Sequence, residues 1–151
     1  MALTDAQATF SSAQAVTATA VSTNTYDLLQ VRDIAPGGDV YVQFAVDIAA
    51  TAAGAATVNF QVVSSASSAL TSPTILVQTD AIGKAELTVG RRPIYLEIPA
   101  SILAAQPIGQ RYLGVQYTVA TGPLTAGSFT AMVVANPVDS AKFYPSGFTV
   151  A

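Results

Sequence analysis

Apolar and polar residues alternate with a period of two along most of this chain, in segments rich in Val, Ile, Phe, Tyr and Thr. No segment sustains the i, i+3, i+4, i+7 apolar spacing of an amphipathic helix. Successive side chains of a strand point to opposite faces of a sheet, so a period of two is typical of strands with one buried face. The sequence therefore predicts an all-β protein.

Three segments show the alternation most clearly: DVYVQFAVDI, TVNFQVV and RPIYLEIP. A shorter and less regular candidate is PTILVQT. In each clear segment one set of alternating residues is apolar and would face a core. The residues predicted to point inward are Val40, Val42, Phe44, Val46 and Ile48, then Val58, Phe60 and Val62, and then Ile94, Leu96 and Ile98.

Residues 109–134, GQRYLGVQYTVATGPLTAGSFTAMVV, contain two further apolar runs on either side of TGPLTAG. Glycine accepts positive φ and proline presets φ near −65°, which suits a reversal of the chain. We predict a hairpin here. Its core-facing residues would be Leu113, Val115, Tyr117 and Val119 on the first strand and Phe129, Ala131 and Val133 on the second.

The connections between the predicted strands differ in length and composition. Residues 49–57 are rich in alanine but contain Gly54, which favours a flexible hairpin loop over a helix. Residues 64–73 form a longer polar crossing, and residues 99–110 have room for one short helical turn between prolines. About seven or eight strands joined in this way predict an antiparallel β-sandwich of the jelly-roll type, with about eight strands and Greek-key connections.

The two ends differ from the middle. Residues 1–15 are polar and alanine-rich and are interpreted as an N-terminal arm, with residues 16–151 forming a single jelly-roll domain. Residues 139–151 are a candidate C-terminal arm. Their aromatic residues need burial, either on the chain's own sheet, which we favour, or at the sheet edge of a neighbouring subunit. These residues are Phe143, Tyr144 and Phe148.

Charge is scarce: 10% of the 151 residues are charged, whereas about 25% is usual, and the net charge is −3. The surface must therefore be largely Ser, Thr, Gln and Ala, which indicates a surface partly covered by fixed partners, or else an ordinary soluble domain. The basic residues are dispersed, so no nucleic-acid partner is expected. No apolar run has the length of a leader or a membrane span, so we expect synthesis in the cytoplasm and no membrane partner.

The chain contains no histidine and no cysteine, which excludes Ser-His-Asp and Cys-His catalysis and the commonest metal ligand. We expect no enzyme activity, no catalytic residue, no cofactor and no metal. Asp33 to Asp39 is interpreted as a turn in preference to a calcium loop. Arg91 and Arg92 are interpreted as interface residues or a solvated pair in preference to an anion-binding site. Tyr41, Tyr95, Tyr112 and Tyr144 suit cross-strand packing or an interface better than sugar stacking.

The order of four segments is similar to that of a known family: RDIAPGGDVYVQFAV, AATVNFQVVSSASSALTSPTILVQTDAI, GQRYLGVQYTVATGPLTAGSFTAMVV and YPSGFTV. From about Val31 to the C-terminus the chain resembles the jelly-roll capsid cement proteins of short-tailed double-stranded DNA bacteriophages. The pairs Arg32–Asp33, Arg111–Tyr112 and Gly147–Phe148 add to the resemblance.

The resemblance implies a protein without catalytic residues on the outer capsid surface of a virion. It would bind the major capsid protein of an HK97-like shell and bridge neighbouring subunits, commonly as a homodimer, with a trimer as the other possibility. The alternative is a β-sandwich module that binds carbohydrate or a receptor. The interface candidates are Arg32, Asp33, Arg91, Arg92, Arg111, Tyr112, Gln116, Phe143, Tyr144 and Phe148.

Overall fold

Two antiparallel sheets packed face to face make up the protein in a computed structural model, which describes residues 8–28, 40–107 and 109–134. A short helix, α1 (Ala100–Ala104), and a 3₁₀ turn at Lys84–Glu86 lie between strands. The strands are β1 (Thr9–Ala15), β2 (Ala20–Val21), β3 (Tyr26–Asp27), β4 (Val40–Thr51), β5 (Thr57–Ser65), β6 (Thr74–Gln78), β7 (Ile82–Gly83), β8 (Ile94–Ile98), β9 (Tyr112–Ala120) and β10 (Ala126–Val134).

The four-stranded sheet has the order β1-β10-β4-β8, and the six-stranded sheet has the order β2-β9-β5-β6, with β3 also paired to β9 and β7 to β5. The short pairs β2/β3 and β6/β7 each occupy one strand position, so each sheet has four positions. The chain passes to the other sheet at every connection except those from β2 to β3, from β5 to β6 and from β6 to β7. This is the eight-stranded, double Greek-key arrangement of a jelly roll, and it confirms the predicted fold.

The predicted hairpin between β9 and β10 is wrong. β9 pairs with β5 in the six-stranded sheet, whereas β10 lies between β1 and β4 in the four-stranded sheet. The connection crosses the end of the sandwich, with Thr121 and Gly122 at positive φ and Leu124 buried against the core. Period-two alternation identifies the buried face of each strand, but it carries no information on which strand is its neighbour.

Two other connections differ from the prediction, again because alternation does not identify the neighbouring strand. The alanine-rich segment 49–57 was predicted to close a hairpin, yet it leads from β4 in one sheet to β5 in the other. The polar segment 64–73 was predicted to cross between sheets, yet it joins β5 to β6, which are hydrogen-bonded neighbours. The short helical turn predicted within residues 99–110 is confirmed as α1.

Aromatic side chains from both sheets fill the centre of the core. Phe60 has its ring centroid 5.2 Å from Phe44, 5.8 Å from Tyr117 and 5.2 Å from Phe129. Tilted and edge-to-face rings at these separations add to the burial of apolar area that holds the two sheets together. Nearly all the residues predicted to point inward are buried or pack against this core.

Ile48 is the exception among the predicted core residues, since its side chain is 57% exposed. Register shifts in the pairing of β4 with β10 place Val46 opposite Phe129 but Ile48 opposite Ser128. One extra residue on β4 at this bulge rotates Ile48 out of the core. A second shift before Thr51 restores the phase, so Ala50 is buried again.

Part of the segment assigned to an N-terminal arm is a strand of the four-stranded sheet. β1 pairs with β10, and Phe10 is buried in the core. Ser11 is also buried, and its Oγ shares a hydrogen bond with the Tyr117 hydroxyl in the opposite sheet. A buried aromatic ring and a satisfied buried hydroxyl pair therefore attach residues 9–15 to the domain.

The outer surface of the six-stranded sheet carries a small apolar cluster of its own. Leu70, from the β5–β6 connection, is only 2% exposed and lies over Gly114 of β9, where a Cβ atom would overlap its Cδ1. Val63 lies opposite Gly114 and is fully buried. Gly114 therefore provides the space that lets Leu70 cover this part of the sheet.

We expect Leu70→Ala to lower the free energy of unfolding by about 2 kcal/mol, because it removes most of a buried side chain. Gly114→Ala should cost about 1 kcal/mol in the wild-type background, where the new methyl group displaces Leu70. In the Leu70→Ala background that cost should largely disappear, which gives a coupling energy of about 1 kcal/mol. Urea denaturation of all four proteins measures these values. Strict additivity of the two substitutions would contradict the proposed contact.

Candidate functional site

Among the described residues, the outer face of the six-stranded sheet has few charged side chains, and we call it the amide face. Strand register places its residues in rows across neighbouring strands. The rows are Asp27, Tyr112 and Ser65; Gly114, Val63 and Ile75; Val21, Gln116, Gln61 and Gln78; and Thr118 with Asn59.

Hydrogen bonds hold the amides at the centre of this face in place. Gln61 Nε2 donates to Gln78 Oε1 at 2.7 Å, and Thr118 Oγ1 donates to Gln61 Oε1 at 2.8 Å. Gln61 is 6% exposed, so its amide is almost completely covered by its neighbours. Asn59 Nδ2 donates to the backbone oxygen of Thr79 at 3.2 Å. The orientation of these polar groups is therefore set before any partner arrives.

A pair of charges lies at one end of the amide face. Arg111 donates from Nε to Asp27 Oδ1 and from Nη2 to Asp27 Oδ2, each at 2.6 Å. The guanidinium carbon lies 5.3 Å from the ring centroid of Tyr112. The hydrogen-bonded carboxylate of Asp27 raises the pKa of Arg111, which remains charged at any ordinary pH. The pair is electrically neutral as a unit, and it ties β3 to the start of β9.

The opposite face of the sandwich has a different electrostatic character. The outward residues of the four-stranded sheet include Asp47 and Glu97, both exposed, together with Tyr41 and Tyr95. Thr130 Oγ1 donates to Asp47 Oδ2 at 2.7 Å. Among the described residues, the strands of this face contribute two carboxylates and no basic side chain.

Arg91 and Arg92 lie in the loop that leads into β8. Arg91 Nη1 is 3.3 Å from Glu86 Oε2 and donates to the Glu86 backbone oxygen at 3.1 Å. Arg92 is exposed. The neighbouring Val89 is 62% exposed. The contacts of Arg91 with Glu86 hold the loop together.

Three of the predicted interface residues come together on the amide face. Tyr112 and Gln116 point outward from the same strand, and Arg111 stands at its beginning. Arg91 and Arg92 are remote from this group. The remaining candidates lie outside the described residues: Arg32, Asp33, Phe143, Tyr144 and Phe148.

The interface residues predicted from the sequence do not include Asp27, Gln61 or Gln78. The outward position of Gln61 follows from alternation, but its neighbours depend on strand order, which alternation does not determine. Asp27 and Arg111 are far apart in sequence, and only the pairing of β3 with β9 brings them together.

Within residues 8–28, 40–107 and 109–134, no three His, Cys, Asp or Glu side chains form a group able to hold a metal ion. Nor does the described part of the chain contain a helix of the length and apolarity required to cross a membrane. Burial raises the pKa of Tyr117 to about 12, and this hydroxyl lies inside the core beside Ser11. Tyr117 therefore has a structural role as the polar member of the aromatic core.

Comparison with known proteins gives one family. No curated protein matches the chain. A family model described as Bbp16 matches residues 10–133, which include every described strand except for the ends of β1 and β10. Because this match covers most of its length, the chain belongs to the Bbp16 family, which suggests a phage-related protein.

Proposed function

We propose that this chain is a structural virion protein that binds the outer surface of an assembled phage capsid and cements neighbouring major-capsid subunits. The observation that carries the proposal is the family match over residues 10–133, which suggests a phage-related protein. The segment order resembles that of capsid cement proteins, and this resemblance is the reason for proposing the cement role in particular. It also supports an HK97-like shell as the partner and a homodimer as the working unit.

The jelly roll suits such a role physically. Two closely packed sheets with an aromatic core form a body that resists deformation. A shell filled with DNA is pushed outward, and a rigid body attached to two subunits must lose one of its own contacts before those subunits separate. Each contact can be modest, on the order of 800–1,600 Å² in total, because attachment at several points raises the effective strength.

The scarcity of charge also supports an assembled state. Only 10% of the residues are charged, and the amide face presents a neutral surface. Interface cores are depleted in charged residues because charges are costly to remove from water. A surface of this kind is better suited to a fixed contact than to free diffusion at high concentration.

The test is to add the purified protein to phage shells assembled without it. We expect saturable uptake, measured by co-sedimentation, and a higher temperature of shell disruption, measured by calorimetry. Protein unfolded before mixing is the control for adventitious sticking. The oligomeric state of the free protein, measured by analytical ultracentrifugation, tests the homodimer.

Two kinds of result would count against the proposed function. No saturable uptake, or uptake that adds no resistance to heat or to a chelator, would contradict the cement role. Binding to soluble glycans in the same preparation would favour the alternative recognition module.

A further inference from the structure

We infer that the molecule has a fixed orientation on its partner, with the amide face against the shell and the four-stranded sheet toward solvent. This inference rests on the proposed function and adds the docking surface and the chemistry of the partner. The partner is an uncharged area of the shell protein that offers hydrogen-bond donors and acceptors to the amide row of this sheet.

The distribution of charge separates the two faces. On the amide face, the charges of Asp27 and Arg111 cancel within one bidentate pair, and the other rows are uncharged. The four-stranded face carries Asp47 and Glu97. A lone carboxylate is costly to cover because it loses its hydration, whereas a charge-paired side chain and a row of amides cost less. Burial in a contact is therefore easier for the amide face.

The amides are also arranged in advance of binding. Gln61 is hydrogen-bonded to both Gln78 and Thr118, so its amide does not need to be ordered when a partner arrives. Ordering a free side chain in an interface costs conformational entropy, and here much of that ordering has already taken place within the fold. Gln116 and Gln78, at the two sides of Gln61, retain exposed surface with which to contact a partner.

Contacts of two other kinds adjoin the amide row. Ile75 is 47% exposed in the next row of the same face, and Tyr112 lies beside the guanidinium of Arg111 in the row beyond it. Exposed aliphatic, tyrosine and arginine side chains around fixed polar groups are typical of interface centres. The matching surface on the partner is therefore polar and neutral, with small apolar contacts.

The outward position of the four-stranded face has its own physical reason. Carboxylates on the exterior of a particle keep neighbouring particles apart and in solution. The exposed side chains of Asp47 and Glu97 stay in contact with water in this orientation and lose that contact in the reverse one.

The experiment compares one substitution on the two faces. Gln116→Glu and Gln43→Glu each add a single negative charge with almost no change in size, at half-buried positions in the middle of β9 and β4. The affinity of each variant for shells lacking the protein is measured by co-sedimentation. We expect Gln116→Glu to bind about tenfold more weakly or worse, and Gln43→Glu to bind as the wild type does. Urea denaturation verifies that both variants fold.

Salt dependence gives a second readout on the wild-type protein. A neutral contact should change little in affinity between about 50 mM and about 500 mM sodium chloride, because there is no charge attraction to screen. A large loss of affinity at high salt would overturn the neutral partner surface.

The remaining outcomes are decisive as well. Weaker binding of Gln43→Glu alone would reverse the orientation. Binding of both variants with the affinity of the wild type would exclude the amide face from the contact. Equal weakening of both would indicate general repulsion by the shell and would also overturn the inference. Absence of wild-type uptake would overturn the proposed function itself, so the two failures are distinguishable.

Discussion

Phe60→Ala should lower the free energy of unfolding by about 3–5 kcal/mol. The Phe60 ring lies at the centre of the sandwich, with ring centroids of Phe44, Tyr117 and Phe129 within 5.2–5.8 Å. The substitution removes contacts to both sheets at once and leaves a cavity that the strands cannot close without bending. Since domains of this size are stable by about 5–15 kcal/mol, much of that stability would be lost. Urea denaturation followed by circular dichroism measures the effect.

Two control variants separate cavity formation from general loss of apolar area. Phe60→Leu retains most of the volume and should cost well under half as much as the alanine substitution. Ile48→Ala removes an aliphatic side chain that is 57% exposed, so it should change stability by no more than about 0.5 kcal/mol. A large loss for Ile48→Ala, or a small one for Phe60→Ala, would contradict the core and the bulge described for β4.

Stability should fall steeply in strong alkali because of Tyr117. Burial raises the pKa of Tyr117 to about 12, compared with an ordinary value of 10.0. The folded state therefore favours the neutral phenol, and its contribution is fully present below about pH 10 and is lost as the pH rises toward 12. A pKa that is higher by about two corresponds to roughly 3 kcal/mol. Urea denaturation at a series of pH values from about 8 to 12.5 measures the loss.

Tyr117→Phe is the matched variant for this experiment. At pH 8 it should be less stable by about 1 kcal/mol, because Ser11 loses its hydrogen-bond partner in a buried position. Above pH 10 the difference should shrink and then reverse, since phenylalanine has no proton to lose. Every other tyrosine is common to both proteins, so the difference between the two curves isolates Tyr117. Parallel curves over the whole pH range would contradict a buried phenol.

Alternation along the strands was sufficient to predict the fold class and most of the core. Val42, Phe44, Val58 and Phe60 all lie where a period of two places them, because burial of one face is a property of each strand by itself. The failure at Ile48 has a local cause. A bulge shifts the phase by one residue, and it arises from the pairing of β4 with β10, which no single strand encodes.

The connections were predicted less well than the strands. Gly122 and Pro123 do reverse the chain between β9 and β10, but the same turn residues serve a hairpin and a crossing between sheets equally well. The choice depends on the other strands: β9 and β10 each already have neighbours on both sides. The amide face also depends on the strand order. Its row of Gln116, Gln61 and Gln78 forms only when β9, β5 and β6 are in register.

The positions of β9 and β10 also have a consequence for synthesis. Both strands are central in their sheets, although they are the last two described strands along the chain. During translation β1 can find no partner, and β4 has none on that side, until residues 126–134 have left the ribosome. Closure of the sandwich therefore waits for the last two described strands, and most of its pairings join distant parts of the chain, which slows folding. Until then the nascent chain exposes unpaired strand edges, and a bound chaperone would protect them from premature association.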